Sequence, residues 1–508
     1  MENLTGHSIF IWQLLHDNKI NYCKSVVYNL KLDCFMFDRH KEEEGGDIQE
    51  LMLKYQNLKQ GRANAYIEED DFERIIAHLD EQDEMQEAIQ AANLALDQYP
   101  FSALLMIKKA DLLLATRKYK EALQLLDTAA LYDHKDMNLF ILKTDAYLAL
   151  DQPENAIVLL QEALHLFEGV ERTEVLFELA DVYDDHEAFD KVFDCLQLVL
   201  EDDPMNEEAL YKICFWTDFT GRNEESIRLH QRIIDEQPYN ALAWFNLAAA
   251  YQGLKLHEKA IDAYQYAIVI DEKFDYAYRN MGDAYLRIRK YKEAIEALEK
   301  VLELSRPEDV IYEAIGHCYH RMKNYAQARF HYKKAVHLNP DDSRLYQKMA
   351  ATYMQEGHWE QAIKQLEHAI RIHKHINEYY ILMGECYMNL QQHKEAAFYF
   401  GTVVKNKPKQ IAGWEYLIKC LVANNQLDAA LEQTEIAYLS TQGKVIFVFF
   451  RSAVLYKMGK TNEGLLQLEM ALSKSAKMVK KVIKFYPEMM QDPKVAELIG
   501  QYKKGKLS

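Results

Sequence analysis

Proline and glycine are scarce, at 9 and 18 among 508 residues. So few chain breakers leave little room for a strand-and-turn protein. Cysteine is sparse too. The seven (Cys23, Cys34, Cys195, Cys214, Cys318, Cys386, Cys420) are scattered, odd in number and without a CxxC pair. That argues against a disulfide framework and for a reducing compartment. No apolar run approaches the length of a membrane span. The opening MENLTGHSIFIWQLLHDNK lacks basic charge ahead of its short apolar run SIFIW and reads as a poor signal peptide. A cytoplasmic location is therefore expected. Missing as well are a phosphate-cradling glycine loop, a nucleophile elbow and an HExxH pair. No enzyme activity and no cofactor are expected.

What is abundant is tyrosine, 33 of them, in a chain too long for one ordinary core. The stretch AWFNLAAAYQGLKLHEKAIDAYQYAI, residues 243–268, sets large Trp244, Tyr251 and Tyr264 among small Ala248, Ala260 and Ala267. The arrangement recurs. Equivalents of Ala260 are Ala88, Ala122, Ala156, Val192, Ser226, Ala294, Ala328, Ala362, Ala396, Ala430 and Gly464, 34 residues apart except for one step of 36. Within each unit, positions 4, 7, 8 and 11 make one helical stripe and positions 20, 24 and 27 a second. Small residues at positions 8 and 20 let two antiparallel helices approach, and large ones fill the space beside them. Proline recurs at position 32 (Pro100, Pro204, Pro238, Pro340, Pro408), where it stops the second helix.

This pattern resembles the tetratricopeptide repeat, a helix–turn–helix unit of about 34 residues. It covers about 410 of the 508 residues, with units starting at 69, 103, 137, 173, 207, 241, 275, 309, 343, 377, 411 and 445. The first and last units are degenerate. The chain as a whole resembles the long stand-alone members found in Bacteroidetes-type bacteria. The expected fold is all-α, an α-solenoid superhelix over 69–478. A capping helix is expected over 48–68 and capping helices over 479–508. Residues 1–47 show no such repeat and are read as an extension of unclear structure.

In such a superhelix the first helices line the concave surface, so the resemblance implies that positions 2, 5, 9, 12 and 13 face a groove. Phe177, Tyr211 and Phe245 share position 5 in successive units, and Phe215 joins them from position 9. Around them lie Asp145, Glu174, Asp181, Asp184, Asp185 and Asp218, and further along Arg279, Arg287, Arg321, Arg344 and Lys348. The aromatic ladder reads either as peptide anchors or as ordinary helix packing. Charge divides the chain the same way. Residues 61–240 hold 15 Lys and Arg against 40 Asp and Glu, a net −25; residues 241–508 hold 38 against 30, a net +8. The acidic part argues against general nucleic-acid binding. It either steers a partner or keeps helix faces solvated.

The family's clamp for a C-terminal carboxylate is matched poorly: Arg279, Arg344 and Lys348 supply cations, but Asp283 and Ala314 stand where asparagines belong. His317 and His320 share a helix face without a third ligand, so no metal is expected. The leading expectation is a non-enzymatic scaffold holding a protein or peptide segment in the groove. Phe177, Tyr211, Phe215 and Phe245 would be its anchors; Asp181, Asp184 and Asp218 would take basic groups, and Arg279 and Arg344 acidic ones. The alternatives are an accessory subunit that uses its convex face, and a recruiting arm for an enzyme whose chemistry lies in residues 1–47. The sequence does not define the oligomeric state.

Overall fold

The computed structural model describes residues 41–60 and 66–504; all that follows concerns these. They form 27 α-helices and no strand. After a leading helix, Lys41–Lys59, the helices come in pairs. The series runs from Glu69–Glu81 with Met85–Gln98 to Val445–Lys457 with Thr461–Ser475, and successive helices pack on one another up to His257–Ile270 and again from Tyr291–Leu304 onward. The fold is an α-solenoid of helix–turn–helix repeats. It divides into two units, one ending at Asn280 and the other starting at Met281.

One pair shows why the sequence folds this way. Asn240 caps the helix Ala241–Gly253, its side chain accepting from the Ala243 amide at 3.0 Å. Ser102, Asp136, Asn206 and Asp342 cap other first helices likewise. Ala248 and Ala260 are fully buried where this helix meets His257–Ile270, and the Tyr264 ring fills the space beside them. The Trp244 indole stacks on Tyr266 at 4.5 Å and donates to the Pro238 carbonyl at 2.9 Å. In the second unit Trp414 donates in the same way to Pro408, at 2.8 Å.

The elbow inside each pair carries a left-handed residue at position 15. Glycine occupies it at Gly221, Gly357 and Gly459, but elsewhere it is Asp83, Arg117, Asp151, Glu187, Lys255, Arg289, Lys323, Gln391 or Asn425, with φ between 57° and 64°. Side chains there are strained by about 1 kcal/mol. In the second unit glycine matters instead at position 8. A Cβ on Gly282 would come within 2.9 Å of Leu298, one on Gly316 within 2.6 Å of Tyr332, and one on Gly384 within 2.4 Å of Phe400.

The first unit begins with the helix Lys41–Lys59, seven residues earlier than the start expected at 48. Its Leu51 and Tyr55 pack against Phe72, Ile75 and Leu79, and Lys59 pairs with Glu87 at 2.6 Å. Residues 1–40 of the expected extension lie outside the described residues. At the far end of the second unit, Val479, Val482, Val495 and Ile499 cover Phe449, Ala453, Leu468 and Leu472.

The first unit also buries a polar cluster. His230 is fully buried and donates from Nδ1 to the Ser226 carbonyl at 2.8 Å. Its Nε2 accepts from the Asn246 amide at 3.2 Å, and that amide also donates to the Leu210 carbonyl at 2.7 Å. A second ring proton would point at an N–H group. Burial lowers the His230 pKa to about 4.

Candidate functional site

The first helices of the first unit carry a row of carboxylates. Asp111 stands on Ala103–Ala115, Asp145 on Met137–Ala149, and Glu178 and Asp181 on Gly169–Asp185. All four pKa values are raised, in each case first by partial loss of solvation among the crowded side chains, although Asp111, Asp145 and Asp181 keep exposed surface and only Glu178 is half-buried. Like charges add to it: Asp80 acts on Asp111, Asp111 on Asp145, and Asp145 and Asp181 on Glu178. On Asp181 the Lys212 ammonium pulls the other way, while Asp184, Glu208 and Asp185 push up. Each carboxylate thus feels the next across successive helix pairs. Such a face lowers its own electrostatic cost by accepting cations.

The chain already places one cation here. The Lys212 Nζ lies 4.8 Å from the centre of the Phe177 ring, 4.0 Å from Asp181 Oδ1 and 2.8 Å from Glu208 Oε1. Aromatic face and carboxylate together hold the ammonium. Beside it Tyr211 is 62% exposed. Phe215 is half-buried, stacked on Phe219 at 5.8 Å and edge-on to Trp216 at 4.9 Å; Phe219 itself is exposed. Asp184 and Asp218 are half-buried on the same two first helices.

Not every candidate joins this group. Phe245 is half-buried against the rings of Phe274 at 4.9 Å and Tyr264 at 5.6 Å, so part of its surface serves packing. Arg279 is not the groove-facing cation expected from its position. It is 7% exposed, with its guanidinium 5.9 Å from the centre of the Tyr276 ring. In the second unit Arg344 is exposed but forks onto Asp342, Nε at 3.1 Å and Nη2 at 3.0 Å. Lys348 pairs with Glu313, Arg287 with Asp283 at 3.5 Å, and Arg321 donates to the Tyr291 hydroxyl at 3.2 Å. These cations are largely answered within the chain, and Asp283 lies where a carboxylate-binding asparagine would be needed.

Asp111, Glu178 and Phe219 escaped the sequence reading. Asp111 and Phe219 occupy positions 9 and 13, both among those expected to face a groove, so a signal existed; Glu178, at position 6, gave none. His317 is exposed while neighbouring Cys318 is buried, so the two diverge. Among the described residues no three His, Cys, Asp or Glu side chains gather around a common point. Cys195, Cys318 and Cys386 are buried and free, and burial pushes each thiol up to about 12, which keeps them unreactive. Among the described residues no helix is long and apolar enough to cross a membrane.

Family models of the tetratricopeptide repeat match residues 241–274, 275–341, 319–386 and 378–410. No curated protein matches the chain. Among solved structures it is similar to YrrB, a tetratricopeptide-repeat protein with an unusual peptide-binding site (19% identity, 37% of this chain, 96% of that one, TM-score 0.33). A second is the C-terminal part of a repeat protein from Cytophaga hutchinsonii (15% identity, 50% of this chain, 98% of that one, TM-score 0.41). A third is the Cut9–Hcn1 hetero-tetramer of the APC/C (12% identity, 79% of this chain, 99% of that one, TM-score 0.32).

Proposed function

From the premise that this is a tetratricopeptide-repeat protein, we propose that it is a non-enzymatic, cytoplasmic scaffold taking a peptide or protein segment in its groove. The observation that carries this reading is the carboxylate row Asp111, Asp145, Glu178 and Asp181 running up to the exposed Tyr211. Tyr211, Phe215 and Phe177 are the anchors, with Phe245 at the border. Asp181, Asp184 and Asp218 receive the partner's basic groups. Arg344 contributes only by leaving Asp342, and Arg279 only by leaving its buried place.

A second reading, an accessory subunit docked through its second helices, draws support from Phe330, Phe398 and Leu466. They share position 22 and are exposed. Affinity capture from the native source separates the two. A partner held by wild type and lost by Tyr211→Ala/Asp181→Asn supports the groove. A partner held equally by both proteins overturns it in favour of the second helices.

A further inference from the structure

The loops that lead from each second helix into the next first helix form another surface on the first unit. Phe101 is 69% exposed, Leu131 81% and Tyr239 85%, with Tyr132 and Met205 exposed as well, and Val170, 77% exposed, follows in the first turn of the helix Gly169–Asp185. Single exposed apolar residues are ordinary, but contiguous ones mark interaction sites. Here consecutive loops touch. The rings of Phe101 and Tyr132 lie 5.5 Å apart, and Phe167 reaches Phe140, just beyond the Tyr132 loop, at 5.3 Å. Arg172 ties the next loop to the Leu164 carbonyl at 3.0 Å and to Asp202 at 2.7 Å, and Asn240 reaches the Met205 sulfur at 3.5 Å. The exposed apolar side chains thus recur along one row of loops that are tied together beneath them by buried Phe140 and Phe167 and by the polar contacts of Arg172 and Asn240.

Its polar component has one dominant sign. Asp133, Glu168 and Asp203 are exposed in the same loops, Asp235 and Glu236 end the helix Asn223–Glu236 just before Tyr239, and against them stand the exposed Lys135 and the Arg172 guanidinium, already paired with Asp202. The second unit has no such edge at position 33. At that position the first has Phe101, Met205 and Tyr239 beside Lys135, Gly169 and Lys273, whereas the second has Pro307, Asp341, His375, Lys409 and Gly443, none of them a large apolar side chain.

We infer that this loop edge is a second docking surface, distinct from the first-helix face, for a cationic amphipathic segment of a protein partner. Apolar residues of that segment cover Phe101, Leu131, Tyr132 and Tyr239, and its lysines or arginines meet the flanking carboxylates. An anionic membrane surface is disfavoured by the same carboxylates. The inference does not rest on the groove reading.

The test uses the full chain and a fluorescein-labelled amphipathic peptide of leucine and lysine, with a twin carrying glutamate for lysine. Fluorescence anisotropy is read for wild type, for Phe101→Ser/Tyr132→Ser/Tyr239→Ser, and for Phe177→Ala/Tyr211→Ala. The edge residues are exposed, so the edge variant retains its fold, checked by an unchanged circular-dichroism melt. The expected result is binding of the lysine peptide weakened about ten-fold or more by the edge substitutions, a difference of about 1.4 kcal/mol. The first-helix face also takes basic groups, so its substitutions remove at most a separate second site and leave the affinity of the edge unchanged; added salt weakens both. Four results overturn the proposal. They are no binding by wild type, equal binding of the glutamate twin, loss only in the first-helix variant, and a self-association in sedimentation equilibrium that the edge variant abolishes. The last would assign the edge to a second copy of the chain.

Discussion

The two units are built from one repeat and use charge in opposite ways. In the first, carboxylates accumulate on the first helices until reduced solvation and mutual repulsion raise their pKa values. In the second, where the sequence turns cationic, Arg344, Lys348 and Arg287 close ion pairs with Asp342, Glu313 and Asp283. Net charge alone therefore misjudges which unit presents its charge outward. The excess that is spatially crowded seeks a counter-charge, and the one that is paired has little left to offer.

The units also differ inside. The second places glycine at position 8 and fills the gap with a large side chain at position 24, as in Gly316 with Tyr332 and Gly384 with Phe400. The first uses isoleucine, alanine, threonine or cysteine at position 8 and admits a histidine, His230, at position 24. The largest expected effect breaks the glycine solution. Phe400→Ala leaves a void against Gly384 and costs about 3–5 kcal/mol in urea unfolding. The converse, Gly384→Ala, drives a Cβ to 2.4 Å from Phe400 and costs about 1–3 kcal/mol. Gly384→Ala/Phe400→Leu recovers part of that loss. An unchanged unfolding midpoint in either single variant would show that position 24 is not sterically matched to position 8.

His230 sharpens the same contrast by pH. Its folded pKa, about 4, lies below the ordinary 6.5, so the unfolded chain binds the proton first. Its stabilisation is complete above pH 6.5 and is lost as the pH falls toward 4, by an amount on the order of 3 kcal/mol. Denaturation followed across that window in wild type and His230→Leu reads it. The variant loses most of the decline, and parallel curves for the two proteins would exclude His230 as its source. The smallest effect treats the units as equals. Asp151→Gly in the first and Lys323→Gly in the second each relieve a left-handed elbow. Glycine's larger freedom in the unfolded chain offsets part of the gain, leaving about 0.5 kcal/mol of stabilisation seen as a raised melting temperature. A drop in either would mean that its elbow side chain makes contacts outweighing the strain.

The fold was legible because its determinants are local and repeated. Ala260 and its equivalents, the bulky neighbours and the prolines are visible without knowing what touches what. The site was less so. Position 5 holds Tyr211, which is exposed in the fold, but the burial of Arg279 depends on the packing around its helix. The Lys348–Glu313 pair is a contact between one repeat and the next, and a reading made repeat by repeat does not cross that boundary. The strained elbows went unremarked because glycine fills position 15 in only Gly221, Gly357 and Gly459 of the elbows.

Those elbows bear on how the chain comes apart. A bend that glycine would adopt freely is instead imposed on Asp83, Lys255 or Asn425 by the two helices it joins, and each pair is steadied by the next. Loosening therefore begins where a pair has a neighbour on one side only. Deleting the terminal cover formed by Val479–Phe485 and Pro493–Lys504 turns the Asn425 and Gly459 elbows into the first sites of amide exchange, and fraying then travels inward one repeat at a time.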